Sequence, residues 1–414
     1  MSGIGKFTAL QSREYRLFFF GQMISLSGTW MQSVAQGWLV YSLTKSPFYL
    51  GLVAAFGSLP ILLFSLFGGI VADRIRKRNL LLLTQSLSII PALSLGILTD
   101  MNLIKVWHVA LFATFLGTVN AFDIPARQAF IIELVGEKSL MNAIALNSTV
   151  FHGARLIGPV IAGMSIAYLG LPACFYLNAL SFTAIIFALS KMRVKKSNRK
   201  EKTMGIFRDL SEGIKFITSK PDIYRIILLI AVFSIIGLPC FTLLPIFAVE
   251  VLRAGPQGFG FLVGATGGGA FLAGLFLAYK GDVENKLRLM SLSGLCFSIF
   301  LLVFSVSKSV YLSIVALLFI GWSTVSFFAT ANSFVQLSVS DNLRGRVISV
   351  YAFVFLGFAP IGNYLIGILA DSFGVTKAVA FSSIICIVAS TLFLTTNIQK
   401  IFLKATEIRN MRNY

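Results

Sequence analysis

Long runs without a charged residue, separated by short polar gaps, set the pattern of this sequence. They cover 17–44, 47–72, 79–99, 106–122, 226–249, 254–279, 289–307, 309–340, 347–370 and 378–399. Between 139 and 190 Arg155 is the single charge. That stretch is too long for one membrane crossing, which needs about 20 apolar residues. The segment "YLGLPA" at 168–173 supplies a Gly-Pro turn in its middle. The pattern therefore predicts an all-α membrane protein of twelve transmembrane helices, six before the central polar gap and six after it. The expected divisions are a first six-helix bundle over 1–190, a linker over 191–225, a second bundle over 226–399 and a tail over 400–414.

Composition agrees with lipid as the main solvent. Residues are 57% hydrophobic and 12% charged, against about 25% charged in soluble domains. The net charge of +19 would suit a nucleic-acid partner, but its distribution does not. The Lys and Arg residues sit in the gaps, 29 on the side of the N-terminus and 5 on the other. This bias is the positive-inside signal and predicts a multi-pass protein of the cell membrane with both termini cytoplasmic. The expected partner at this point is the bilayer, with no nucleic acid and a monomeric chain. Arg13, Glu14 and Arg16 precede a run far longer than the apolar core of a cleavable signal. Cys174, Cys240, Cys296 and Cys386 all lie inside apolar runs at no metal-like spacing, so they read as packing residues and no metal site is expected.

The gap over 191–225 begins as a solvated basic stretch, "KMRVKKSNRKEK". It continues with Ile206, Phe207, Leu210, Ile214 and Ile217 on one helical face, the spacing of an amphipathic helix on the inner leaflet. Its expected role is to tie the two halves together; a regulatory partner site is the alternative.

The halves resemble each other. A shift of 204 residues sets Gly158 on Gly362, Gly163 on Gly367 and Gly170 on Gly374; a shift of 206 sets Gly68 on Gly274. Two parallel six-helix bundles follow, an architecture in which substrate binds between the halves near the bilayer midplane. The glycines of "GATGGGAFLAG" at 264–274 lie within an apolar span and read as sites of close helix packing, with no phosphate-binding role.

"GGIVADRIRKR" at 68–78 resembles the loop 2–3 signature of the major facilitator superfamily, through Gly69, Asp73, Arg74, Arg76 and Lys77 or Arg78. Ile75 replaces the usual glycine after Arg74. "SGTWMQSVAQGWLVYSLTKSP" at 27–47, "PARQAFIIELVGEKSLMNAIALNS" at 125–148 and "ARLIGP" at 154–159 are similar to the exporter branch that includes the enterobactin exporter and related drug:proton antiporters. The resemblance implies transport. It also implies a cytoplasmic gate at Gly69, Asp73, Arg74 and Arg78, with the acid pairing to basic groups when that side is closed. Glycines late in the second span are expected to let it slide against a helix of the other half. "ARLIGPVIAG" resembles the antiporter motif of the fifth span, with Gly158 and Pro159 as a hinge; Ala162 stands where the motif has a second glycine.

Polar groups inside apolar runs carry the remaining chemistry. Arg155 sits mid-span, where an arginine costs about 2.5–3.5 kcal/mol on insertion scales, so it should face a wet cavity or a structural partner. His152 lies one turn earlier and Asp123 in the preceding span. Asp123 is the candidate proton carrier, paired with Arg155, Arg127 or neither. Burial raises a carboxyl pKa and a nearby arginine lowers it, so a substrate competing for that arginine would move the proton. Gln22, Ser25, Thr29, Gln32 and Gln36 follow one helical face, flanked by Trp30 and Trp38. Gln32, Gln36 and Trp30 are therefore placed on the substrate pathway, with interhelical hydrogen bonding as the alternative. In the second half, Trp322, Ser326, Tyr351 and Phe355 are expected to form an apolar cavity wall. No cofactor signature appears, leaving the proton gradient as energy source. Proton-coupled efflux of an amphipathic molecule, drug-like or a siderophore, is the leading expectation. A facilitator or importer of a lipid-like solute and a non-transporting membrane sensor are the alternatives. No paired carboxylates or nucleophile–base set suggests an enzyme.

Overall fold

The computed structural model describes residues 8–136, 139–193, 206–281, 283 and 285–411. Those residues form helices and connecting turns, with no strand among them. In the first half the helices are α1 (Arg13–Thr44), α2 (Pro47–Arg74), α3 (Lys77–Asp100), α4 (Val106–Val135), α5 (Leu140–Tyr168) and α6 (Leu171–Lys191). A short helix, α7 (Ile206–Ser219), precedes α8 (Pro221–Val251). Then come α9 (Gly255–Lys280), α10 (Lys286–Val306), α11 (Val310–Leu337), α12 (Asp341–Gly357), α13 (Ala359–Phe373) and α14 (Val375–Met411).

Eleven segments are long and apolar enough to cross a membrane, α12 and α13 together making one of them. The twelfth crossing is α1, whose 32 residues reach about 48 Å at 1.5 Å each. Its polar stripe keeps its composition below that of the others. Local signals start these helices where the sequence changes character. Ser12 caps α1 by accepting from the Tyr15 amide at 3.3 Å. Proline stands in the first turn of α2, α6, α8, α9 and α13, where its missing N–H costs nothing.

α8 departs from a plain helix. Its turns widen to π spacing over Phe233–Gly237 and Phe247–Val251 and tighten over Leu238–Leu243. Pro239 and Pro245 lie within this stretch, and each removes a backbone donor. Gly357 and Phe358 interrupt α12 and α13 just before Pro360.

α1 packs on α5 and α6, α2 on α4, and α3 on α4 and α6; in the second half α11 packs on α9 and α10, and α14 on α10 and α13. Two crossings join the halves, α5 with α9 and α2 with α13. The internal repeat relates them. Gly163 of α5 lies against Pro256, Gln257 and Gly260, and its counterpart Gly367 lies against Pro47, Phe48 and Gly51. A side chain at any of these glycines would meet the opposing backbone, so glycine is what permits the approach. Gly170 and Gly374 occupy matching turns with φ of 87° and 86°, a backbone region that favours glycine.

The joined end is the one away from the chain termini. There the Tyr41 hydroxyl donates to Glu250 at 2.8 Å and the Ser46 hydroxyl to Asp371 at 3.0 Å, both across the halves. Trp38 stacks on Phe259 with ring centres 5.9 Å apart. Toward the end that carries the termini, Phe67, Met141 and Tyr279 are exposed, Tyr279 at 93%.

The linker helix is more than a surface float. α7 packs on α12, with Gly213 against the Arg346 carbonyl and Val350, and Glu212 forms an ion pair with Arg346. Ile217 is buried and Ile214 exposed, so the apolar face is divided between protein and surroundings. The side chains of Ile206, Phe207 and Leu210, and the basic stretch over 194–205, lie outside the described residues.

Candidate functional site

The crossings leave a cavity of about 410 Å³ between the halves. From the first half α1 contributes Trp30, Ser33 and Gln36, α2 contributes Val53, Gly57 and Ser58, and α5 contributes Arg155. From the second half α8 contributes Phe241, Thr242, Leu244 and Pro245, and α9 contributes Phe259, Val263 and Thr266. Arg155 is the sole charged residue of this lining. Its guanidinium lies 5.4 Å from the centre of the Trp30 ring, within cation–π range. Its Nε is buried without a hydrogen-bond partner, and among the described residues no carboxylate pairs with it.

A second cavity, about 340 Å³, lies within the first half and shares Trp30, Ser33, Gln36 and Gly57 with the first. Thr29, Gln32, Gln85, Ser88, Asn120 and Arg127 give it a polar wall. Asp123 is behind that wall and 1% exposed. It forms an ion pair with Arg127, one turn along α4. Thr84 and Gln85 of α3 donate to it at 2.7 and 2.8 Å. Of the pairings the sequence left open for Asp123, this structure therefore shows the one with Arg127.

The α1 stripe divides. Gln32 is buried and accepts from the Asn178 amide at 2.6 Å, while Ser25 donates to Gln85 at 3.2 Å. These bonds join α1 to α6 and α3. Gln36 and Trp30 face both cavities. His152 packs edge-on against Phe151 with ring centres 5.4 Å apart, and its Nδ1 is buried without a partner. Gly158 lets α5 touch α1, since a Cβ there would sit 2.6 Å from the Ser27 carbonyl. α5 runs unbroken through Pro159.

The expected gate residues lie at the end of α2 and the start of α3. Asp73 and Arg74 are exposed, and a Cβ on Gly69 would meet nothing within 4 Å. Arg78 donates to the Leu189 and Ser190 carbonyls at 2.6 and 2.8 Å, capping the end of α6 within its own half, where a cation is favoured. The neighbouring Lys77 pairs with Glu133 at 2.8 Å. Gly68 abuts Ala121 of α4, so the late glycine of α2 that packs closely does so within the first half. The close backbone approach of α2 to the other half is made earlier, at Gly51.

The four residues expected as the second-half wall line neither cavity. Trp322 packs on Phe276 at 5.3 Å, Ser326 is buried, the Tyr351 hydroxyl donates to the Phe328 carbonyl at 2.9 Å, and Phe355 packs tilted against Phe328 at 4.5 Å. α11 sits behind α9, where Gly269 and Gly321 bring the two backbones together. The second-half lining of the 410 Å³ cavity comes from α8 and α9. The repeat held the signal for it: a shift of 206 carries Gln36, Val53 and Gly57 onto Thr242, Phe259 and Val263, all of them cavity residues.

Two helical bundles enclosing a cavity between them define a membrane carrier of the major facilitator type. The chain belongs to the transmembrane secretion effector family of that superfamily, whose family model matches residues 4–412. Among curated relatives, the staphyloferrin A transporter of Staphylococcus aureus is 26% identical over 95% of this chain and 98% of its own length. The multidrug efflux pump Tap of Mycolicibacterium fortuitum is 24% identical over 86% of this chain and 89% of its own. Macrolide efflux protein A of Streptococcus pyogenes is 21% identical over 89% and 92%. Among solved structures, a bacterial homologue of the human lysosomal transporter Spinster, inward-facing and occupied, aligns with a TM-score of 0.73 and 13% identity over 93% of this chain and 97% of that one. The nucleoside transporter NupG aligns with a TM-score of 0.65 and 12% identity over 92% and 98%. These two likenesses concern the fold alone.

Proposed function

We propose that this protein is a proton-coupled exporter of an amphipathic small molecule, working by alternating access in the cell membrane with both termini cytoplasmic. The observation that carries this reading is the cavity between the halves, closed by cross-half contacts at the end away from the termini. Aromatic faces, one amide, hydroxyls and one cation line it, a mixture suited to a bulky amphiphile. The charge bias of the gaps makes the joined end extracellular. The relatives that export drugs and macrolides or carry a siderophore support a small organic substrate.

Asp123 is the proton site in this reading. A proton on its carboxylate removes the charge that holds Arg127, and Arg127 borders the second cavity. That cavity adjoins the first through Trp30 and Gln36, so a change at Asp123 reaches the substrate space through shared walls. One proton crossing 100 mV supplies about 2.3 kcal/mol.

Purified protein in proteoliposomes with an imposed pH gradient tests the proposal on a panel holding staphyloferrin A, a macrolide and amphipathic dyes. Uphill movement of at least one compound is expected, lost when the gradient is dissipated and lost in Asp123→Asn. Uphill movement that survives dissipation rejects proton coupling. Downhill flux indifferent to pH selects a facilitator.

A further inference from the structure

Arg155 is placed as a ligand for something absent from the chain itself. It is half-buried in the low-dielectric space between the halves, and its Nε is enclosed without a hydrogen bond. The buried acid of the first half is already occupied, since Asp123 is held by Arg127, Thr84 and Gln85. Trp30 stacks against the guanidinium face but supplies no acceptor. The remaining lining is neutral, so the cavity holds one formal positive charge and nothing of opposite sign.

A guanidinium offers planar paired donors that match a carboxylate. Desolvation strengthens such a charge-assisted bond and penalises an unpartnered cation. The space around it is apolar and aromatic, with Trp30 on one side and Phe241 and Phe259 on the other. We infer that the cavity is a carboxylate-binding site: its substrates are organic anions whose carboxylate binds Arg155 and whose apolar or aromatic body lies between Trp30 and the α8–α9 wall. The assignment names the substrate class of the exporter proposed above and, as a transport statement, rests on that reading. The same charge disfavours cationic amphiphiles. Arg155 also stands at the α5–α9 crossing, its carbonyl against Gly267, so an anion held there touches one of the two seams between the halves.

The test is binding by three probes of one shape, measured on the full-length protein in phosphatidylcholine nanodiscs with empty discs subtracted. 1-Naphthylacetate carries the anion, 1-naphthylacetamide is its neutral counterpart and 1-naphthylethylammonium is the cation. Wild type should bind the anion at least about tenfold more tightly than the amide, as a hydrogen-bonded charge predicts, and the cation weakest. Arg155→Gln should remove that preference, and a size-exclusion profile and unfolding temperature matching wild type show that the variant is folded. Arg155→Lys should keep part of the preference, having the charge without the paired donors. Should wild type fail to prefer the anion over the amide, including by binding neither, the inference is overturned. A preference that survives in Arg155→Gln overturns it as well. If that variant does not fold, the wild-type order of the three probes decides. Transport is not an element of this readout, so the proton-driven flux experiment can fail while the anion preference stands, and the reverse.

Discussion

Arg127 decides what Asp123 can do. The pair is enclosed on the Asp123 side, while the Arg127 side chain keeps 19% exposure toward the second cavity. Removing one partner of a buried pair costs about 3–5 kcal/mol because the other is stranded. Here the contact of Arg127 with its cavity should reduce that to about 2 kcal/mol for Asp123→Asn. Adding Arg127→Gln should restore about half the loss, a coupling that a double-mutant cycle in detergent unfolding measures. Simple addition of the two effects would contradict the pairing. Both Asp123 and Arg155 stand out in the sequence because a charge within an apolar run is costly. Their pairing does not stand out, since an i,i+4 arginine on the same helix and an arginine on the next helix are both within reach on paper. Gln32 shows the same boundary. Its place on a polar stripe is legible, but the Asn178 amide that occupies it comes from a helix 146 residues away.

Among elements, the α5–α9 and α2–α13 seams hold the closed end together. Their glycines are visible in the sequence as repeated positions, and Gly163 and Gly367 fall on matching contacts. The second-half wall was less legible because helical periodicity fails along α8, where the proline-containing stretch switches between wide and tight turns. A periodic reading points to α11 and α12, which pack behind or beside the cavity. Gly260→Val gives the seam a direct test. Its Cβ would crowd the Pro159 carbonyl and Gly163, which should bias the protein toward opening at that end. A cysteine replacing Gln36 should then react with an impermeant maleimide from the side of the joined end about fivefold faster than without the valine, a shift of about 1 kcal/mol. An unchanged rate would show that the seam does not control access.

At the scale of the whole molecule, the twelve rods and their two-fold repeat follow from charge-free length and glycine spacing, because an unbroken apolar run of about 20 residues satisfies its own backbone in lipid as a helix. The sequence does not state which end is joined. That depends on a balance of small contacts, such as Tyr41 to Glu250 and Ser46 to Asp371, each worth about 1 kcal/mol. Contacts of this size, added to the glycine seams, are suited to being exchanged for closure at the opposite end, where Asp73 and Arg74 are exposed. Paired spin labels read that exchange most directly, one pair replacing Ile75 and Tyr279 near the termini and another replacing Leu103 and Tyr311 at the joined end. The account predicts that as pH is lowered one distance lengthens while the other shortens, with the sense reversed when pH is raised. Distances that stay fixed, or that change together in the same direction, would contradict it.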